Sequence, residues 1–216
     1  MMEVFIMGKD FTDAEAYEQE KEARVKDFED LRNYCERTVE LERSVDKSRR
    51  NTHLLKVKET EDYVISEKFS GRVIFASPKE AVEEISKTGN VGVLIGLSAV
   101  SKGGGVVHGM ETFEAEICRH STLYFCLQEK RICEEMYEDR APSFAYIPGV
   151  KVVNKPYDSD KDYPEVDIIA AILPEGTDSL TSSEEGRRIF DNMLLRAEYN
   201  NLKTIIISIE ELKGLL

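Results

Sequence analysis

Val93-Leu94-Ile95-Gly96-Leu97-Ser98-Ala99-Val100-Ser101-Lys102-Gly103-Gly104-Gly105-Val106-Val107-His108-Gly109 opens as an apolar run, meets three consecutive glycines and gives way near Thr112 to a helical pattern. An uninterrupted apolar run of this kind belongs to a strand covered on both faces. Three adjacent glycines free the backbone for positive φ angles and let its N–H groups converge on an anion, so the turn suits a phosphate. No Gly-Lys-Ser or Gly-Lys-Thr comes after them, which excludes a Walker A loop, and the glycine spacing is not the GxGxxG of dinucleotide folds. Taken alone, the run reads equally as a flexible glycine loop with no ligand.

The same texture extends outward. Arg72 to Phe75, Val91 to Ile95, Phe144 to Ile147, Val166 to Ile172 and Thr204 to Ile209 are short β-branched or aromatic runs. Between them, Pro78 to Lys87, Thr112 to Glu138 and Ser183 to Asn200 are each long enough for one or more helices. Apolar strands alternating with helices predict an α/β domain whose sheet is covered on both faces. Asn154 to Glu165, rich in Asp, Lys, Pro and Tyr, predicts a surface loop between two strands. This texture starts near Tyr63. Before it, Thr12 to Ser48 is dense in Glu, Lys and Arg, and Val25, Phe28, Leu31, Cys35 and Val39 recur at helical spacing. That predicts one long amphipathic helix or two shorter ones, with a narrow stripe packed on the body and a solvated charged face. The expected division is a helical extension over residues 1–55 and an α/β domain over 56–216.

The chain has 216 residues, with 42 acidic and 29 basic side chains and a formal charge of −13. Such acidity argues against a broad electrostatic grip on nucleic acid. No apolar run approaches the roughly 20 residues that span a bilayer, and Met1 to Met7 lacks the basic flank and length of a signal peptide. The expectation is a cytoplasmic protein without a membrane partner. Cys35, Cys118, Cys126 and Cys133 form no CxxC pair, and the three histidines are not at zinc-ligand spacing from them, so reduced thiols without a metal or cofactor are expected.

Downstream of the glycines come Glu111-Thr112-Phe113-Glu114-Ala115-Glu116-Ile117-Cys118-Arg119-His120-Ser121-Thr122-Leu123-Tyr124 and later Tyr146-Ile147-Pro148-Gly149-Val150. In this order and spacing the sequence resembles the microbial type of poly(ADP-ribose) glycohydrolase, a branch of the macrodomain superfamily. That family carries Gly-Gly-Gly, a spacer, Gln-Glu-Glu, a Leu-Cys-Arg-Arg-Ser-Thr-Leu-Tyr-like helix and a Tyr-Ser-Pro-Gly-Val strand. The matches are Gly103 to Gly105, Glu114, Cys118-Arg119, Ser121 to Tyr124 and Pro148-Gly149-Val150, within residues 70–175. The resemblance implies a macrodomain-like mixed sheet between helices and an ADP-ribose cleft at the carboxyl ends of the strands. Ser98, Gly103, Gly104, Gly105, Val106, Val107 and His108 would line the diphosphate and ribose. The second Glu of Gln-Glu-Glu would protonate the departing ribose oxygen, as in other glycosidic cleavages.

The chain departs from this pattern. Ungapped on Cys118-Arg119, the family's Gln falls on Phe113, its first Glu on Glu114 and its catalytic second Glu on Ala115. A slip of one residue in the spacer would instead give the acid position to Glu114. The family's Asn and Asn-Pro before the glycines are here Ile95 and Ser101-Lys102. The strand ending at Ile209 is followed only by Glu210 to Leu216, where the family has a second phosphate-binding glycine loop. Glu114 and Glu116, two apart on a helix, point in different directions, and Arg119 can meet an anion or pair with Glu116. Tyr124 and Phe125 suit adenine stacking or the core. Three functions are open: an ADP-ribose-recognising domain with weakened or lost hydrolase activity, an active ADP-ribosyl glycohydrolase using Glu114 as general acid and base, or an interaction module binding a protein through its N-terminal helix. ADP-ribose or an ADP-ribosylated protein is the expected partner.

Overall fold

A computed structural model describes residues 13–57, 69–85, 90–138, 143–157, 163–177 and 179–208. Six strands form one sheet: β1 (His53–Lys56), β2 (Arg72–Ala76), β3 (Val91–Leu97), β4 (Ser143–Lys151), β5 (Glu165–Ile172) and β6 (Thr204–Ser208), in the order β1-β4-β5-β3-β6-β2. Strands β5, β3, β6 and β2 run parallel, whereas β4 and β1 are antiparallel to their neighbours, which makes the sheet mixed.

All seven residues of β3 are buried, so its sequence carries no polar alternation. Successive side chains nevertheless divide between the two faces. Val93, Ile95 and Leu97 join Ile168, Ala170 and Ile206 on one face, while Leu94 joins Ile169, Ala171, Ile205 and Ile207 on the other. The second face is covered by α7 (Glu184–Tyr199) through Ile189, Phe190, Met193 and Ala197. The N-cap Ser183 accepts the Gly186 N–H and starts that helix. The first face is covered by α4 (Phe113–Arg119), α5 (Leu123–Cys126) and α6 (Lys130–Ile132), the last running into a π-helical turn at Cys133–Glu138. The helix α3 (Pro78–Ile85) follows the edge strand β2, on which Val73 and Phe75 are exposed.

The amino-terminal region is two helices, α1 (Asp13–Arg37) and α2 (Val39–Arg50), separated at Thr38. Thr38 takes an extended backbone conformation, and its hydroxyl donates to the Tyr34 carbonyl at 2.8 Å. Phe28, Leu31 and Cys35 are buried as the spacing predicts, but Val39 is 56% exposed, because the break at Thr38 rotates the following residues out of register. Leu41, Val45 and Ser48 form the buried face of α2 instead. Leu31, Cys35 and Leu41 pack with Val153 and Tyr163, so Tyr163 of the expected surface loop is in fact buried. Strand β1 has no counterpart among the predicted runs. Its four residues are only half-buried at best, too few to show an alternation, and the expected boundary between residues 55 and 56 falls inside it. Tyr63, the Met1 to Met7 stretch and the Glu210 to Leu216 tail lie outside the described residues.

Candidate functional site

At the end of β3 the chain leaves the sheet at Ser98 and enters the glycine run. Gly103, Gly104 and Gly105 have φ of +75°, +61° and +79°, three left-handed residues in succession, which no side-chain-bearing residue adopts cheaply. Packing imposes a second requirement. A Cβ on Gly103 would stand 2.7 Å from the Tyr124 ring, and one on Gly104 would overlap Thr112 Oγ1 and stand 2.8 Å from the Ala115 nitrogen. The run therefore lies directly on the first turn of α4.

Thr112 joins the two. Its hydroxyl caps α4 by accepting the Ala115 N–H at 3.1 Å, and it donates to the Gly104 carbonyl at 3.0 Å. Most of the loop N–H groups predicted to meet an anion are bonded within the protein. Gly103 donates to Glu114 Oε1 at 2.8 Å and Gly104 to the Ser101 carbonyl at 2.9 Å. Val106 donates to the Gly103 carbonyl at 3.0 Å and His108 to the Gly105 carbonyl at 2.9 Å. Gly103 to Val106 are buried, Val107 is half-buried, and His108 is exposed at the end of the short helical turn Val106–His108.

The three residues at the start of α4 part company, as the helical angle dictates. Glu114 is buried and turns back to the loop, where its second oxygen accepts the Ser98 N–H at 2.8 Å. Ala115 is completely buried in the core. Glu116 faces α1 and pairs with Arg119 and with His120 Nε2 at 3.2 Å, and His120 Nδ1 lies 3.1 Å from Asn154 Oδ1. Arg119 is buried and also donates to the Met110 carbonyl at 2.7 Å. Burial would raise the Glu116 pKa, but the hydrogen bond with His120 and the charges of Arg119, His120 and Arg24 outweigh it and hold the carboxyl below its ordinary value. Tyr124 is half-buried, edge-on to Phe28 of α1 with ring centroids 4.9 Å apart.

Two cations at the site have no local sequence signature. Arg24 of α1 donates to the Gly109 carbonyl at 2.7 Å and to Glu111 at 2.8 Å, clamping the exit of the loop from 85 residues away. Lys102 donates to Cys133 Sγ at 2.8 Å and lies 5.0 Å from the centre of the Tyr137 ring. Arg24 is hidden among the many charged residues of its segment, whereas Lys102, the one Asp, Glu, Lys or Arg between Val91 and Met110, carries nothing in its neighbourhood that names a partner 31 residues on. Among the described residues no group of three or more His, Cys, Asp or Glu could hold a metal ion, and no helix is long and apolar enough to cross a membrane.

The fold has clear counterparts. The structure of poly(ADP-ribose) glycohydrolase from Thermomonospora curvata matches with a TM-score of 0.64 at 17% identity, over 89% of this chain and 81% of that one. The same protein bound to the inhibitor ADP-HPD gives the same values. The Deinococcus radiodurans poly(ADP-ribose) glycohydrolase in complex with ADP-ribose matches with a TM-score of 0.58 at 19% identity, over 79% of this chain and 77% of that one. No curated protein matches the sequence. The family model of the microbial-type PARG catalytic domain matches residues 19–150, from within α1 to the end of the Pro148-Gly149-Val150 strand segment. That match covers more than half of the chain, with the glycine loop and both motifs downstream of it, and the chain belongs to the microbial-type PARG catalytic domain family.

Proposed function

We propose that this protein recognises ADP-ribose, free or attached to a protein, and that its glycohydrolase activity is weakened or lost. The observation that carries the reading is the engagement of every acidic group at the loop and the start of α4. Glu114 holds the Ser98 and Gly103 N–H groups, Glu116 holds Arg119 and His120, and Glu111 holds Arg24. Between Glu114 and Glu116, where the family places its acid, stands the buried methyl of Ala115. Glycosidic cleavage needs a carboxylic acid to protonate the leaving oxygen, and general acid catalysis contributes about 10²- to 10⁴-fold.

Recognition is supported by family membership, by the relative that holds ADP-ribose and by the place of the loop. In parallel α/β sheets ligands collect outside the carboxyl ends of the strands, where β3 delivers Ser98 and the glycines. Ser98, Gly103 to Gly105, Val106, Val107 and His108 are proposed to line the ligand, with His108 and Val107 offering the accessible surface. A charge of −13 repels an anionic diphosphate at long range, so binding must rest on short-range contacts. Calorimetric titration with ADP-ribose should show saturable heat; none at millimolar ligand overturns the recognition claim.

A second reading has one observation in its favour: Glu114 is in contact with the glycine loop through Gly103. If Glu114 is the acid, the protein releases ADP-ribose from a modified polymer or protein, and Glu114→Gln abolishes the release.

A further inference from the structure

The four cysteines occupy two kinds of surroundings. Cys35, Cys118 and Cys126 are buried, and burial pushes their thiols upward, to about 12 for Cys35 and Cys126. A thiol held in that form is inert. Cys133, the first residue of the π-helical turn, is only half-buried. It accepts the Lys102 ammonium at 2.8 Å and lies 3.7 Å from the Leu127 carbonyl, which its S–H can meet. The aromatic face of Tyr137, one turn further on, holds the same ammonium 5.0 Å from the ring centre. Lysine and sulfur are thus set nitrogen against sulfur, both residues half-buried and so within reach of solvent, and a cation beside an accessible sulfur is the setting shared by redox-active cysteines.

We propose that Lys102 and Cys133 are a modification site at which hydrogen peroxide joins Nζ to Sγ as a sulfenamide, pinning the glycine loop to the π-helical turn. In the first step the sulfur attacks the peroxide, the O–O bond breaks, water leaves, and Cys133 becomes a sulfenic acid, oxidised by two electrons. In the second step the Lys102 amine, its ammonium proton given to solvent, attacks the sulfur. The N–S bond forms, the S–O bond breaks, and the oxygen departs as water with the remaining proton. One thiol, one amine and one peroxide give one sulfenamide and two waters. Oxidised cysteines condense in the same way with a backbone nitrogen; here the side-chain nitrogen is already in contact.

The bridge reaches the loop through Gly103, the residue next to Lys102. Gly103 is bonded to Glu114, and Tyr137 is packed close enough to Glu114 that the carboxylate, after burial, raises the tyrosine hydroxyl pKa further. A covalent tie at Lys102 therefore fixes residues 102–103 from both sides. An effect on ADP-ribose binding rests on the function proposed above; formation of the bond does not.

The test treats the full-length chain with hydrogen peroxide and reads intact mass, a protease peptide map and the denaturant midpoint. The expected result is a loss of two hydrogens, a joined peptide containing Lys102 and Cys133, a higher midpoint, and reversal of all three by dithiothreitol. Lys102→Arg and Cys133→Ser should each abolish the joined peptide. Cys133 recovered with Lys102 unlinked, whether unmodified, as a disulfide or as its oxygen acids, overturns the proposal. ADP-ribose titration of the reduced and bridged forms separates the two claims. Heat from neither form counts against the recognition reading and leaves the bridge standing; a failed bridge leaves recognition standing.

Discussion

Glu114 accepts the Gly103 N–H at 2.8 Å while its other oxygen accepts that of Ser98 at the same distance, so one buried carboxylate closes the span between the end of β3 and the glycine run. The family's acidic motif is here an anchor for the loop that it borders. Truncation to Ala strands two N–H donors in the interior, each worth about 1–3 kcal/mol. Glu114→Ala should therefore lower the unfolding free energy by about 2–6 kcal/mol. Glu114→Gln, which keeps one acceptor and turns a donor toward the other N–H, should cost less. Urea denaturation of the three proteins measures both, and an unchanged midpoint in Glu114→Ala would falsify the anchoring role.

The proposed loss of catalysis rests on Ala115, and a carboxylate can be placed there. Ala115→Glu should raise the release of ADP-ribose from a polymer at least about 10²-fold above wild type, the lower bound for a general acid. The site is fully buried, so the longer side chain should also cost about 1–3 kcal/mol in stability. A variant that folds, binds ADP-ribose and shows no gain in turnover places the defect elsewhere.

Two glycines with positive φ should respond unequally to alanine. Gly104 at φ +61° would drive its new methyl into Thr112 Oγ1 and the Ala115 nitrogen, both close to immovable, and Gly104→Ala should cost about 2–4 kcal/mol through strain and overpacking together. Gly176 at φ +76° has nothing within 4 Å of the same position, and Gly176→Ala should cost about 1–2 kcal/mol from backbone strain alone. Thermal or urea unfolding of the pair gives the contrast directly; equal losses would show that φ, and not the seat on α4, dictates the run.

Acid should destabilise the protein through Glu116. Its carboxyl is held below the ordinary 4.5 despite burial. A group depressed on folding contributes stability above its unfolded value and loses it as pH falls through the folded one. The unfolding free energy should thus decline as pH drops below about 4.5, and Glu116→Gln should make that decline shallower. Urea midpoints from about pH 6 down to about pH 3 check the slope across that window; identical slopes in both proteins would leave the acid response to other carboxyls.

Leu31 tests whether α1 is part of the folding unit. It is completely buried, packed with Cys35 of its own helix and Leu41 of α2 and, from the segment between β4 and β5, with Val153 and Tyr163. Leu31→Ala should cost about 2–5 kcal/mol and lower a single unfolding transition. A second, separate transition, with the main one unmoved, would make the helices an independent extension.

The layered α/β class was legible in the residues alone, because short apolar runs such as Val91 to Ile95 alternate with helical patterns, the texture of a sheet covered on both faces. So were the linked motifs that place the chain in its family, and so was the methyl that comes after Glu114. Local pattern could also mark Phe28, Leu31 and Cys35 as one helical face. It could not show the break at Thr38 that exposes Val39, since a rotation of register leaves the composition unchanged. Nor could it show β1, whose four residues, two half-buried and two exposed, take their place from the hydrogen-bonding edge of β4. Which way each carboxylate faces, and what it holds, was settled by the packed three-dimensional arrangement. Arg24 reaches Gly109, and Lys102 reaches Cys133, across 85 and 31 residues of chain, distances over which side-chain meetings are set by the packing of whole elements and leave no trace in spacing.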